Sequence, residues 1–144
     1  MIADANVSPV MVTLGKIMNA IAPTLPLLPF GGVNSLSRDP EVDRRVDADP
    51  LHYTGKLRVR TGMAINTASQ WVRARLEDFR LPMLIFHGAT DPLVTPEGSK
   101  LLHSRARSTD KQLTLYPDMR HESHNEYGKE QVIADVIAWL DKHA

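Results

Sequence analysis

The sequence predicts an α/β layer fold, and three observations in its last third predict it. Met83-Leu84-Ile85-Phe86 and Leu113-Thr114-Leu115-Tyr116 are short apolar runs of strand length. Gly88 and Pro117 punctuate them. A stretch of helical periodicity follows each run. The order strand, helix, strand, helix implies a parallel, right-handed crossover. The first run is apolar without alternation, as in a strand buried on both faces.

The elements can be taken in chain order. Pro9 to Ala22 reads as a helix, with Val10, Leu14, Ile17, Met18 and Ile21 spaced for one face. Pro9 suits a first helical turn, and Pro23, Pro26 and Pro29 stop the helix. Leu25 to Phe30 continues as an extended or turning apolar segment. Residues 31–54 are turn-rich, with Gly31-Gly32, Ser37-Arg38-Asp39-Pro40 and Asp49-Pro50 marking loops and short helices. From Gly55 to about Phe79 a helical stripe returns at Ile65, Ala68, Val72, Leu76 and Phe79. Lys56, Arg58 and Arg60 read as a solvated basic face. Thr95-Pro96-Glu97 starts a helix that runs to about Arg107: a hydroxyl cap, Pro at the first position, an acid in the first turn. A final helix from about Glu126 to Lys142 carries Val132, Ile133, Val136, Ile137 and Leu140 on one face.

Composition excludes several classes. The chain has 144 residues, which suits one domain, and it is 42% hydrophobic and 24% charged, which argues against wholesale disorder. Seventeen basic residues balance seventeen acidic ones, so no general pull toward nucleic acid is expected. There are no cysteines, which excludes disulfides, thiolate nucleophiles and Cys-based zinc sites. Val7 to Ala22 is apolar and Ala20-Ile21-Ala22 has the look of a cleavage site. No basic residue precedes it, however, Asp4 stands where positive charge belongs, and Lys16 interrupts the run, so a signal peptide is not expected. Lys16 and the three prolines also preclude a span of roughly 20 apolar residues.

In an open parallel sheet, reactive groups gather past the carboxyl ends of the strands. Asp91 follows the first strand after His87-Gly88-Ala89-Thr90. His121 follows the second after Pro117-Asp118-Met119-Arg120. Acid before histidine is the chain order of a Ser-acid-His triad on an α/β-hydrolase frame. The residues alone leave a second reading open, in which Asp91 is an Asx turn and His121 a surface side chain. His121-Glu122-Ser123-His124 is not a His-Glu-x-x-His zinc motif, since its histidines are three apart. His124 is assigned to the surface. No Gly-x-Ser-x-Gly elbow occurs, and the Gly98-Ser99 and Val33-Asn34-Ser35 contexts lack its spacing. Ser123 adjoins His121 in sequence, but the local geometry is expected to point neighbouring side chains apart.

Leu84 to Val94 resembles the acid-bearing strand and turn of the monoacylglycerol lipase family. Tyr116 to Glu126 resembles the histidine loop, with its His121, Glu122, Asn125 and Glu126 pattern. Leu36 to Val42 and Asp49-Pro50-Leu51 resemble that family's lid. One departure is Asp118, where the family pattern has Gly, with a perturbed loop or a competing hydrogen-bond acceptor as the expected effect. The resemblance implies an α/β-hydrolase fold, C-terminal portion: lid helices over residues 1–78, then the last two parallel core strands and their helices over 79–144. It implies a serine hydrolase of acylglycerols or lysophospholipids with no metal or organic cofactor. Asp91 would orient the base and His121 would be that base, with serine and oxyanion donors supplied from outside the chain. Met11, Leu14, Met18, Leu25, Leu28 and Phe30 would help wall an acyl tunnel. A lipid ester substrate, peripheral membrane contact through the lid, a cytoplasmic location, and pairing with the missing N-terminal half or self-association are further expectations. The Met83 to Phe86 edge would lack its partner strand. The alternatives are a non-catalytic fragment that binds lipid or a partner, and a different esterase chemistry on the same frame.

Overall fold

Helix α1 (Pro9–Ile21) opens the part of the chain that the structure, a computed structural model, describes: residues 9–28, 35–53 and 55–144. Pro9 takes the first helical position, where a missing N–H costs nothing. The half-buried positions of α1 are Val12, Gly15, Met18 and Asn19, and α1 packs against α3 (Val59–Arg73). Gly15 sits there against Met63, closely enough that an added side chain would meet its sulfur. The apolar stripe Val10, Leu14, Ile17 and Ile21 faces away and is exposed.

The extended segment expected at Leu25 to Phe30 appears as β1 (Pro26–Leu28). It pairs antiparallel with β2 (Leu57–Arg58). That pairing corrects the expected helix from Gly55 to Phe79. The helix starts only at Val59, because Leu57 and Arg58 are committed to the ribbon. The N–H groups of Val59 and Arg60 donate to the carbonyls of Leu25 and Pro23, at 3.0 and 2.9 Å, and so satisfy two orphan donors of the first turn. The helix ends at Arg73, Arg75 leaves helical geometry, and Leu76–Asp78 form a separate 3-10 turn around a fully buried Leu76. Lys56, Arg58 and Arg60 are exposed, as expected of a solvated face. Within the turn-rich region, α2 (Pro40–Ala48) forms because Asp39 caps it. Its Oδ1 accepts from the Glu41 N–H at 2.9 Å, and Pro40 follows the cap.

The last third is a parallel pair, β3 (Met83–Gly88) and β4 (Lys111–Tyr116), in register from Met83 opposite Lys111 to Gly88 opposite Tyr116. Helix α4 (Glu97–Arg105) makes the crossover. It opens one residue later than expected, with Pro96 at its N-cap. Helix α5 (Lys129–His143) begins three residues after Glu126. A 3-10 turn at Ser123–Asn125 and the left-handed Gly128 (φ 81°) intervene. Tyr116, Met119 and Val132 form a buried cluster. The Tyr116 hydroxyl donates to Asp135 Oδ2 at 2.7 Å, and burial together with that carboxylate pushes the phenol pKa up. His143 ties the far end of α5 to Asp110 at 2.7 Å.

Strand β3 was expected to be buried on both faces. Instead its side chains are half-buried and Phe86 is exposed. The reason is that, among the described residues, β3 has β4 as its one strand neighbour. A two-stranded sheet cannot cover such a run. On α5 only Val132 is buried, and Ile133, Ile137 and Leu140 of its expected core face are about half exposed. Among the described residues no helix is long and apolar enough to cross a membrane.

Gly88 closes β3 against the loop that follows β4. A Cβ there would overlap the carbonyl oxygens of Met119 and Arg120. Gly88→Ala should therefore lower stability by about 3 kcal/mol, read as a fall in the urea midpoint. A midpoint equal to wild type would mean that this loop is free to move aside.

Candidate active site

The turn after β3 and the turn after β4 are bonded to each other. Ala89 N–H donates to the Tyr116 carbonyl at 2.8 Å. Thr90 donates twice to the Met119 carbonyl, from its N–H at 3.1 Å and its hydroxyl at 2.9 Å. The second turn closes with Met119 N–H on the Tyr116 carbonyl, and Asp118 lies exposed in it.

These bonds bring Asp91 and His121 together. The Asp91 carboxylate is 2% exposed. Its Oδ1 accepts from the N–H groups of Leu93 and Val94 at 2.8 and 3.0 Å, which is an Asx turn. Its Oδ2 lies 2.8 Å from His121 Nδ1. The two readings of Asp91 left open by the sequence thus describe its two oxygens. Burial pushes the Asp91 pKa up. Hydrogen bonds from Val94, His121 and Leu93 together outweigh it, and the net direction is below the ordinary carboxylate value. An ionised carboxylate only accepts, so His121 carries its proton at Nδ1 and keeps a lone pair at Nε2. Such a ring can take a proton from a hydroxyl and return it to a leaving group.

The His121 loop is held from below by Glu126. Its side chain is fully buried. Oε1 accepts from the Ser37 hydroxyl at 3.0 Å and the Tyr127 N–H at 3.1 Å. Oε2 accepts from Arg120 N–H at 3.2 Å, and Arg38 N–H reaches both oxygens at 3.0 Å. Burial pushes this carboxyl pKa up, and the donors of Arg38, Tyr127, Arg120 and Ser37 pull it down further, leaving it below the ordinary value. Glu122 N–H adds a bond to the Leu36 carbonyl at 2.8 Å. The segment before α2 and the loop carrying His121 are therefore one hydrogen-bonded unit.

Asp91 and His121 line a cavity of about 230 Å³, with Phe86 and Val94 as apolar wall. Ser99, Ser123 and His87 also line it. Ser123 lines the cavity with His121, and its hydroxyl donates to the Arg120 carbonyl at 3.3 Å. The Ser99 hydroxyl lies 2.7 Å from His87 Nδ1. His124 is exposed. Met11, Leu14, Met18 and Leu25 are not among the residues lining this cavity. The Leu28 side chain and the whole of Phe30 lie outside the described residues. Sequence reasoning assigned no separate role to His87, Ser99 or Glu126. The one signal for His87 is its place four residues before Asp91 at a strand end.

Comparison with known proteins places this geometry in context. A profile of the family described as serine aminopeptidase, S33 matches residues 1–128. A monoacylglycerol lipase of Mycolicibacterium smegmatis is 36% identical over 141 residues, covering 98% of this chain and 50% of that protein. The human monoglyceride lipase is 29% identical over 133 residues, covering 91% of this chain and 44% of that protein. The crystal structure of Paleococcus ferrophilus monoacylglycerol lipase superposes with a TM-score of 0.83 at 26% identity, over 99% of this chain and 55% of that one. The chain thus spans about half the length of the relatives it matches.

Glu126 carries a pH signature. Its folded pKa lies below the ordinary 4.5, so ionised Glu126 stabilises the fold above that value and the contribution is lost as pH falls through the folded value. Glu126→Gln should lower stability at neutral pH by about 1–3 kcal/mol. The gap to wild type should narrow on acidification below 4.5. Urea melts across that range give the answer, and a gap independent of pH would contradict the assignment.

Proposed function

This chain belongs to the serine aminopeptidase, S33 family and corresponds to the C-terminal portion of monoacylglycerol lipase-like α/β-hydrolases, and on that premise we propose that it supplies the acid and base of a Ser-His-Asp ester hydrolase. The substrate is a monoacylglycerol or a lysophospholipid. The observation that carries the reading is the 2.8 Å contact between a buried Asp91 carboxylate and His121 Nδ1, in a cavity at the strand ends.

The chemistry follows from that pair. A serine on the N-terminal half attacks the ester carbonyl carbon while His121 Nε2 takes its proton. The carbonyl electron pair moves onto oxygen, where donors outside this chain hold it. The imidazolium, steadied by ionised Asp91, passes the proton to the departing alcohol oxygen, and the carbon–oxygen bond breaks. Water then repeats the sequence on the acyl-serine and frees the fatty acid. Residues 1–78 act as the lid, in which Met11, Leu14, Met18, Leu25, Leu28 and Phe30 contact the acyl chain. Burying that chain gains about 0.8 kcal/mol per methylene, so an apolar lid selects for length. The exposed stripe of α1 and the exposed Leu25 support this reading, and it extends to peripheral membrane contact through the same surface. The half-exposed β3 and the open face of α5 support the N-terminal half as the partner that completes the layer.

The test uses the chain together with the N-terminal half of the Mycolicibacterium relative. His121→Ala should reduce monoacylglycerol turnover by about 10⁴-fold, and His124→Ala should change it little. Comparable losses in both variants, or near-normal turnover in the first, would sink the assignment.

The lid is tested in the same assembly. Leu14→Asp combined with Met18→Asp should weaken hydrolysis of a long-chain monoacylglycerol more than that of a short soluble ester. Equal effects on the two esters would make those side chains ordinary packing.

A further inference from the structure

Asp91 Oδ2 has two imidazole neighbours. His121 Nδ1 lies 2.8 Å away, and His87 Nε2 lies 3.1 Å away. The same His87 Nε2 is 2.8 Å from the Val94 carbonyl oxygen, and His87 Nδ1 is 2.7 Å from Ser99 Oγ. Nε2 faces the Val94 carbonyl with Asp91 Oδ2 beside it, so it carries the ring proton and donates it to that carbonyl. Nδ1 is then an acceptor, and the Ser99 hydroxyl donates to it. Each ring nitrogen has a protein partner, and the side chain is only 13% exposed.

These bonds close on themselves. Val94 N–H donates to Asp91 Oδ1 at 3.0 Å, while the Val94 carbonyl accepts from His87. The backbone pins Oδ1 at two points. With His121 as its one partner, Oδ2 would follow that ring whenever the ring moved. His87 Nε2 sits 3.1 Å from Oδ2, fixed between a strand end and the first turn of α4, while its N–H holds the carbonyl of Val94, the residue whose own N–H pins Oδ1; both limit that freedom. We infer that His87, backed by Ser99, is a positioning residue that holds the Asp91 carboxylate in the orientation His121 needs. The inference rests on the proposed roles of Asp91 and His121. A purely structural role would require only that His87 fill the space between β3 and α4.

The experiment reads the hydrogen bond itself. In the 144-residue chain with isotope-labelled histidine, nuclear magnetic resonance follows the His121 Nδ1 proton, assigned by its loss in His121→Gln. Its exchange lifetime reports how firmly Asp91 is held. His87→Gln places an amide N–H near the Nε2 position and should keep the lifetime within about twofold. His87→Asn reaches only the Nδ1 position and should shorten it by roughly tenfold or more. Ser99→Ala should fall between them. Equal lifetimes in the Gln and Asn variants, whether both retained or both lost, would overturn the inference, as would a wild-type chain without such a proton. Where the amide signals of β3 and β4 show that the Asn variant has lost its fold, Ser99→Ala decides. A wild-type lifetime there refutes the role and a shortened one supports it. The readout involves no turnover, so a failure of the proposed hydrolysis would register separately.

Discussion

The parallel register of β3 and β4 is the constraint on which the rest depends. Gly88 stands opposite Tyr116, so both strands end at one level and their exit turns start side by side. From there the two turns bond to each other through Ala89, Thr90 and Met119. A slip of one residue would turn β4's side chains over and carry His121 away from Asp91. Gly88 belongs to the same constraint, since the loop after β4 crosses where its side chain would have been. The proposed acid and base are thus placed by backbone pairing, and side chains supply only the last few ångströms.

A second tie runs to the other end of the chain. Glu126 gathers donors from Ser37, Arg38, Arg120 and Tyr127 around one buried carboxylate. A charge so deep is tolerated because its oxygens are filled. The geometry of the His121 loop therefore depends on residues just ahead of α2. Asp39, one position beyond Arg38, caps that helix, so the orientation of α2 is set at the same point.

Much of this was legible in the sequence where the signal was local. The two apolar runs and their Gly and Pro endings located β3 and β4, and Asp91 and His121 were found as the ionisable residues past them. What escaped was non-local. Leu57-Arg58 is too short to announce a strand, and only its pairing with Pro26–Leu28 makes it one. Periodicity told which residues of α1 share a face, but not that all of them except the half-buried Met18 would look outward. A run of four apolar residues says that a strand should be covered, and cannot say that among the described residues it has a single strand neighbour. His87 sits inside a motif that Asp91 already accounts for, and no local pattern shows that its two nitrogens meet Ser99 and Val94. Glu126 stood in the histidine-loop pattern, yet its donors Ser37 and Arg38 are separated from it by 89 and 88 positions, which no local pattern spans.

That separation has a consequence in time. During synthesis the segment around Ser37 is made well before Glu126 exists. The contact closes a loop of 89 residues, and such closures come late because their entropy is lost before the contact repays it. Of the two sides of that contact, the one made earlier waits for the one made later. Until then the nascent chain carries an apolar α1 and an unanchored α2 segment, an interval in which a chaperone or a complementary polypeptide can engage it.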